Sequence, residues 1–226
     1  MTAFWIKIIA IISMTFDHGA YHLMEPSLWY EIMRSFGRLA MPLFSFLIAE
    51  GYHYTKSIKG YFYRIFIFGL AIEAFLVLVY FTTGDNYLIN VNIFLTLSLG
   101  LLSLIMLKKG NIFMGILLIT ASIFIPVDYG TYGVLLIVGF GLLRDMPKSY
   151  IYDAFLIFAL NVIFIEIIPY FDLPYIVNLD QRQWYSMLSI IPIALYSGEE
   201  GKKLKYFLYI YYPLHLIFII MISHII

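Results

Sequence analysis

The first strongly apolar stretch of this chain contains a lysine, an aspartate and a histidine whose spacing could support acid–base chemistry. Lys7 and His18 are about three helical turns apart, so both side chains project from one face of a helix and lie ~16 Å apart along its axis. Asp17 is rotated by ~100° and faces a different neighbour. Because an imidazole with a fixed tautomer can act as a general base near neutral pH, this face is a candidate catalytic surface.

The second apolar stretch places two further ionisable residues at similar depths. Arg38 lies where its side chain can reach Asp17, and we therefore predict an ion pair between them. Glu50 lies close to the depth of Lys7, which predicts a second pair. Both pairs could equally be structural salt bridges. Pro42 has no N–H to donate to the carbonyl of Arg38, which leaves that oxygen free near the predicted site.

These ionisable groups stand out because the rest of the chain is suited to a bilayer. Of 226 residues, 62% are hydrophobic and 12% are charged, and the mean hydropathy is +0.90. Soluble domains are about half apolar and a quarter charged. Since an ionisable side chain at the bilayer centre costs ~2.5 kcal/mol or more, each one needs a partner or a wet cavity. The composition predicts an integral membrane protein, and a net charge of zero gives no reason to expect a nucleic acid partner.

Apolar runs of helical length define the predicted architecture. We expect an all-α, polytopic transmembrane bundle of about nine spans, with eight or ten as alternatives, forming a single domain over residues 1–226. The fifth, sixth and eighth runs are short for a span and could be tilted, paired or re-entrant. The runs lie near residues 4–24, 36–55, 61–82, 88–107, 111–126, 131–144, 151–170, 184–197 and 205–226.

The distribution of lysine and arginine predicts a cytoplasmic N-terminus, because cytoplasmic loops are enriched in these residues. With that orientation the opposite side carries Arg34 and Arg182, with Arg38 at a helix start. The predicted cytoplasmic loops carry Lys56, Lys59, Arg64, Lys108, Lys109, Arg144, Lys148, Lys202, Lys203 and Lys205.

Five blocks of the chain resemble, in order, the successive blocks of the TraX family. They are KIIAIISMTFDHGAYHL, FGRLAMPLFSFLIAEGYHYTKS, LINVNIFLTLSLGLL, VDYGTYGVLLI and KYFLYIYYPLHLIFI, and together they extend over nearly the whole chain. The named member of the family is implicated in N-terminal acetylation of conjugative pilin in the inner membrane. The resemblance therefore implies a multi-pass protein of the cell membrane.

A wider similarity supports this assignment. Lys7, ten intervening residues and His18 are similar to the first helix of the membrane acyltransferases that modify sugars and envelope polymers, with lysine where arginine is more usual. The resemblance implies an acetyl-CoA or other acyl-CoA donor that enters from the cytoplasm. It also implies an acceptor near the outer face, such as a pilin N-terminus, an envelope glycan or another surface group.

The family's motifs assign roles to individual residues. Asp17 and His18 fill the DH positions, with His18 as catalytic base and Asp17 as its support. The residues assigned to the donor are Lys7, Arg38 and, from a basic loop, Arg64. The residues assigned to the acceptor are Glu50, His53, Asp128, Tyr129 and His215. Structural alternatives stay open: His18 as a satisfied buried histidine, Lys7 as a side chain that reaches the inner interface, and His215 as a structural hydrogen-bonding group.

The predicted function is transfer of an acetyl or other short acyl group to a hydroxyl or amine. A proton-coupled membrane transporter is the alternative, because intramembrane Asp, Glu and His groups also mark proton relays. A purely structural membrane subunit is a third possibility. No metal is expected: His18 and His22 have the spacing to chelate zinc, but the sequence offers no adjacent third ligand, and His53 and His224 do not complete a set.

Overall fold

The chain is helical in a computed structural model, which describes residues 1–83, 92–171, 177, 179–204 and 207–223; no β-strand occurs within these ranges. The all-α prediction is therefore confirmed for the described residues. The helices are α1 (Ala3–Leu23), α2 (Leu28–Gly37), α3 (Ala40–Tyr54), α4 (Ile58–Thr83), α5 (Ile93–Lys108), α6 (Ile112–Ala121), α7 (Gly130–Leu143), α8 (Ser149–Asn161), α9 (Ile190–Ala194) and α10 (Phe207–Ser223).

Four helical segments are long and apolar enough to cross a membrane: Ala3–Leu23, Leu28–Tyr54, Ile58–Leu78 and Ser149–Phe171. Shorter apolar helices include α5, α6 and α7. The last long segment continues α8 through a π-helix, Val162–Ile167, and a 3-10 helix. Nine spans and a cytoplasmic N-terminus stay predictions.

The eighth apolar run, near 184–197, was predicted to be short for a span, and the structure divides it between two short helices. A 3-10 helix occupies Gln181–Ser189, and α9 that follows has five residues. Polar residues dominate the 3-10 segment, and Pro192 has no N–H for the carbonyl of Leu188. The local sequence thus favours short, tight helical turns over a regular span.

The chain divides into two compact units, residues 1–47 with 179–226 and residues 48–178. In the first unit, α1 packs against α2 and α10. The amides of Ala3 and Phe4 donate to the carbonyls of Glu199 (2.8 Å) and Glu200 (3.1 Å), which satisfies donors that a helix N-terminus leaves unpaired.

The second candidate span is interrupted where α2 gives way to α3. Ser27 caps α2 by accepting from the amide of Tyr30 (3.2 Å), and α2 ends at Gly37. The interruption lies just before Pro42, which cannot complete the helical bond to Arg38.

In the second unit, α5 packs against α4, α6 and α7, and α7 packs against α8. Small residues allow the close approach of α5 and α7: a Cβ on Gly100 would collide with Ile137, and one on Gly141 would collide with Leu104. The side chain of Asn92 connects α5 to α4 by donating to the carbonyl of Gly69 (2.6 Å).

Candidate active site

A buried ion-pair cluster in the first unit joins α1 to α2. Oδ1 of Asp17 accepts from Arg34 Nη1 (2.7 Å) and from Arg38 Nη2 (2.5 Å). The predicted ion pair between Asp17 and Arg38 is therefore confirmed. Hydrogen bonds between charged groups are shorter and stronger than neutral ones, so this carboxylate fixes the positions of both guanidinium groups.

Gly37 permits the contact between the two helices. A Cβ built on Gly37 would lie 2.7 Å from Asp17 Oδ1 and 2.8 Å from its Cγ, well inside van der Waals contact. Any larger residue would therefore displace the carboxylate that holds the arginines. The glycine in the FGRLAMPLF block is explained by this close approach.

Arg34 is a member of this ion-pair cluster that sequence reasoning missed. The sequence places it outside the second apolar run, whereas the structure places it on α2 one turn before Arg38. Its guanidinium carbon also lies 4.7 Å from the ring centre of Tyr21. Arg34 Nε is buried and has no hydrogen-bond partner. The spacing of the two arginines, four residues apart on one helical face, was the available signal.

His18 and His215 are joined by a hydrogen bond between α1 and α10. His18 Nδ1 lies 2.9 Å from His215 Nε2, and the two rings are nearly parallel, 11° apart. His215 Nδ1 lies 3.1 Å from the carbonyl oxygen of Tyr211. Of the predicted acceptor residues, His215 is thus placed directly against the predicted base.

These contacts assign the tautomer of both rings. The carbonyl of Tyr211 can only accept, so Nδ1 of His215 carries its hydrogen and Nε2 carries the lone pair of the neutral ring. His18 Nδ1 must then donate to that lone pair, which leaves the lone pair of neutral His18 on Nε2. Among the described residues no hydrogen bond occupies His18 Nε2, and the His18 side chain is only half-buried.

The position of α10 against α1 is fixed by a second polar contact. The hydroxyls of Thr15 and Tyr211 lie 2.6 Å apart. Since Thr15 donates to the carbonyl of Ile11 (2.7 Å), the Tyr211 hydroxyl is the donor to Thr15. Tyr211 therefore orients His215 through its carbonyl and holds α10 through its hydroxyl.

Lys7 lies in the same continuous helix as His18, so the predicted ~16 Å offset along one face holds. Its side chain is half-buried. The structure gives Glu50 a different partner from the predicted Lys7. Glu50 belongs to the second unit, where its Oε1 accepts from Arg144 Nε (2.7 Å).

Arg144 is the centre of the second polar cluster. Its Nη2 donates to the hydroxyl of Tyr54 (3.1 Å), and its Nη1 donates to Asp145 (3.2 Å). Lys108 is the second cation beside Asp145, at 3.5 Å. The hydrogen bond from Arg144, aided by the charge of Lys108, lowers the pKa of Asp145. The sequence analysis counted Arg144 only among the cationic residues that indicate membrane orientation. In the structure it forms an ion pair with Glu50, which is buried.

The remaining predicted residues also lie in the second unit. His53 and Arg64 are exposed. Tyr129 has a left-handed backbone (φ 58°) immediately before α7, and the carbonyl of Asp128 accepts from the Thr96 hydroxyl. The first unit, by contrast, contains five of the predicted site residues: Lys7, Asp17, His18, Arg38 and His215. His224 lies outside the described residues.

Two of the comparisons with known proteins cover nearly the whole chain. The family model described as TraX protein matches residues 3–223. A probable fimbrial assembly protein, FimC of serogroup H1, from Dichelobacter nodosus is 27% identical over 241 residues, 95% of this chain and 93% of that protein. An uncharacterized protein of Rickettsia prowazekii (strain Madrid E) is 35% identical over 95 residues, 42% of this chain and 33% of that protein. No solved structure matches.

Proposed function

The chain belongs to the TraX family, and from this premise we propose that it is an integral membrane acyltransferase. It moves an acetyl or other short acyl group from cytoplasmic acyl-CoA to an amine or hydroxyl at the extracytoplasmic side of the cell membrane. His18 is the general base. The fimbrial assembly protein among its relatives supports a pilin or another surface subunit as acceptor.

The observation that carries this proposal is the hydrogen-bond chain from the Tyr211 carbonyl through His215 to His18. It gives neutral His18 a lone pair on Nε2, and no described residue bonds to that atom. A base needs a defined tautomer and an open position for the proton that it accepts. His215 supplies the first requirement and is a positioning residue for His18.

In the proposed reaction the acceptor nitrogen or oxygen attacks the thioester carbonyl carbon while its proton passes to His18 Nε2. The C–S bond of the tetrahedral intermediate then breaks. The departing thiolate takes the proton back from the His18 imidazolium, which restores the neutral ring and releases free CoA. No oxidant or metal is needed, and His18 ends each cycle in its starting state.

Arg34 and Arg38 supply positive charge to the same unit as the base. Asp17 holds both groups in place, and Arg34 Nε keeps an N–H without a protein partner. A preorganised donor of this kind stabilises negative charge that develops on a carbonyl oxygen. We assign Arg34 and Arg38 to the donor's acyl or phosphate oxygens, with Lys7 further along α1 as an additional donor contact.

The test measures transfer from radiolabelled acetyl-CoA to a peptide with a free N-terminal amine, by the full chain in lipid nanodiscs. An N-terminally blocked copy of the peptide and an envelope extract report transfer to hydroxyl groups. His18→Gln should lower kcat by ~10²–10⁴-fold, the usual contribution of a general base. His22→Gln, one turn further along α1, is the matched control and should keep its activity.

His215→Phe tests the positioning role, since phenylalanine keeps a ring but cannot accept from His18. It should lower kcat and change the pH profile of kcat with little effect on the KM for acetyl-CoA. Full transfer by His18→Gln would remove His18 from the mechanism. Solute flux into liposomes without any acyl donor would instead favour the proton-coupled transporter.

A further inference from the structure

Three lysines lie where two candidate membrane spans of the second unit begin. The spans are Ile58–Leu78 and Ser149–Phe171. Lys56 and Lys59 flank the first residue of one span, and Lys148 immediately precedes the other. All three side chains are exposed, and none has an ion pair or hydrogen bond within the described part of the chain. Since residues at the ends of a span lie at the level of the lipid headgroups, these ammonium groups belong to that layer.

Contacts between helix ends place the two span starts at the same end of the unit. Tyr54 ends α3 just before α4 begins, and Arg144 follows α7 just before α8 begins. Arg144 Nη2 donates to the Tyr54 hydroxyl (3.1 Å), which joins the two connections. A Cβ on Gly51 would collide with the hydroxyl of Tyr61, so the first turn of α4 lies against the last turn of α3. One leaflet therefore meets both span starts.

This end of the second unit, which we call the basic end, differs in charge from the opposite end. Lys108, the last residue of α5, also lies here, because it contacts Asp145 beside Arg144 (3.5 Å). The opposite end has the acids Asp128 and Glu166 and no lysine or arginine in its described residues, which are 79–83, 92–95, 119–131 and 162–171. The lysines and arginines of the basic end are Lys56, Lys59, Arg64, Lys108, Lys109, Arg144 and Lys148.

The local structure makes positive charge unfavourable at two of the three lysines. A helix N-terminus carries a partial positive charge and stabilises anions, not cations. Lys59 lies in the first turn of α4, and Lys148 is the N-cap residue of α8. Lys148 also has a left-handed backbone (φ 54°, ψ 49°), which glycine adopts without steric cost, and its side chain makes no capping hydrogen bond. Residues that break local rules in this way are expected where an external group interacts with them.

The group that offsets this charge must be anionic and must extend along both span starts at the headgroup level. The phosphates of anionic lipids meet both conditions, and a leaflet can contact all three lysines without any two of them touching. A small soluble anion would instead need cations that converge on one point. No described contact joins these lysines to one another.

We propose that the basic end of the second unit is a binding surface for anionic phospholipid headgroups, with Lys56, Lys59 and Lys148 as its contacts. Each ammonium donates to phosphate oxygens of the adjoining leaflet. Added salt weakens the attraction, because exposed charges are screened. The surface is independent of the proposed acyl transfer, since all three lysines lie in the second unit and His18 lies in the first.

The test follows thermal unfolding of the full chain in micelles of a neutral detergent. Phosphatidylglycerol or phosphatidylcholine is titrated into the micelles at equal mole fractions, and lipid affinity is taken from the midpoint of each titration. Phosphatidylglycerol should raise the unfolding temperature in a saturable manner and by more than phosphatidylcholine. High salt should reduce the difference between the two lipids.

Lys148→Gly is the informative variant, because it removes a cation and also relieves the left-handed backbone. Without lipid it should unfold at the same or a higher temperature than the wild type. Its phosphatidylglycerol midpoint should nevertheless rise about fivefold, the usual contribution of one lysine near an anionic surface. Lys148→Arg keeps the charge and is the matched control, so its midpoint should equal that of the wild type.

A triple variant, Lys56→Gln with Lys59→Gln and Lys148→Gly, should raise the midpoint on the order of 100-fold. Three results would overturn the proposal: equal responses to the two lipids, a wild-type midpoint for the triple variant, and displacement of phosphatidylglycerol by free coenzyme A. The last result would show that a soluble polyphosphate, and not the bilayer, occupies the basic end.

Discussion

The two units each contain a buried acidic group beside arginine, but the ratio of charges is reversed. In the first unit one carboxylate, Asp17, accepts from two guanidinium groups. In the second unit one guanidinium, that of Arg144, pairs with both Glu50 and Asp145, while Asp153 has no donor among the described residues. The first cluster thus gives one acid two cationic partners, whereas the second gives one arginine two acidic partners.

The two clusters should differ most in how the free energy of unfolding responds when the acid of each is replaced. Asp17→Asn leaves two buried guanidinium groups without their carboxylate and should lower the free energy of unfolding by about 3–5 kcal/mol. Asp153→Asn replaces a buried acid that accepts no hydrogen bond from the described residues, so stability should be unchanged or higher. Unfolding by a denaturing detergent in mixed micelles measures both. Equal losses would mean that the two clusters do not differ.

A second comparison removes the arginine of the second cluster. Arg144→Gln leaves Glu50 buried and without its ion pair, and should lower the free energy of unfolding by about 1.5–3 kcal/mol. Arg64→Gln is the control, because Arg64 is exposed and its change should stay within about 0.5 kcal/mol. If both variants unfold alike in the same micelle assay, Arg144 does not stabilise Glu50.

A third change tests the helix contact that assembles the first cluster. Gly37→Ala adds a Cβ against Asp17 and should cost about 1–3 kcal/mol through overpacking. Gly19→Ala is a matched control on α1, where a Cβ meets nothing within 4 Å. It should gain about 0.5–1 kcal/mol, because alanine is the better helix former. Stabilisation by both variants would show that α1 and α2 lie further apart than described.

The smallest expected effect concerns the contact between α10 and α1. Tyr211→Phe removes the hydroxyl that donates to Thr15 and should cost about 0.5–1.5 kcal/mol. It keeps the backbone carbonyl that orients His215, so kcat for acyl transfer should fall much less than in His215→Phe. Tyr63→Phe, at an exposed position, should leave both quantities unchanged. An equal loss of kcat in Tyr211→Phe and His215→Phe would place the decisive contact at the hydroxyl.

The first cluster was partly predictable because its members are close in sequence. Helical periodicity and span depth placed Arg38 beside Asp17 correctly. Arg34 was missed because the second apolar run, judged by hydropathy, begins near residue 36. Helix α2 starts earlier, at Leu28. A charged residue in the first turns of an amphipathic helix lowers the local hydropathy without ending the helix.

The pairing of Glu50 with Lys7 failed for a different reason. Depth in the membrane limits which residues lie at one level, but it does not tell which helices are neighbours. Arg144 is 94 residues from Glu50, and nothing in the local pattern of either segment indicates the contact. His215, 197 residues from His18, was included because it lies in an apolar run and matches a motif of the family, and neither signal indicated the contact.

The amino-acid sequence by itself determined the apolar helices, the family and the presence of ionisable groups where a bilayer core is expected. These follow from composition and from periodicity along one segment, which are local properties of the chain. Only the tertiary structure decided that His215 fixes the tautomer of His18, that Arg34 shares Asp17, and that no described residue donates to Asp153. Hydrogen bonds and desolvation depend on which distant segments meet, and that is settled by packing.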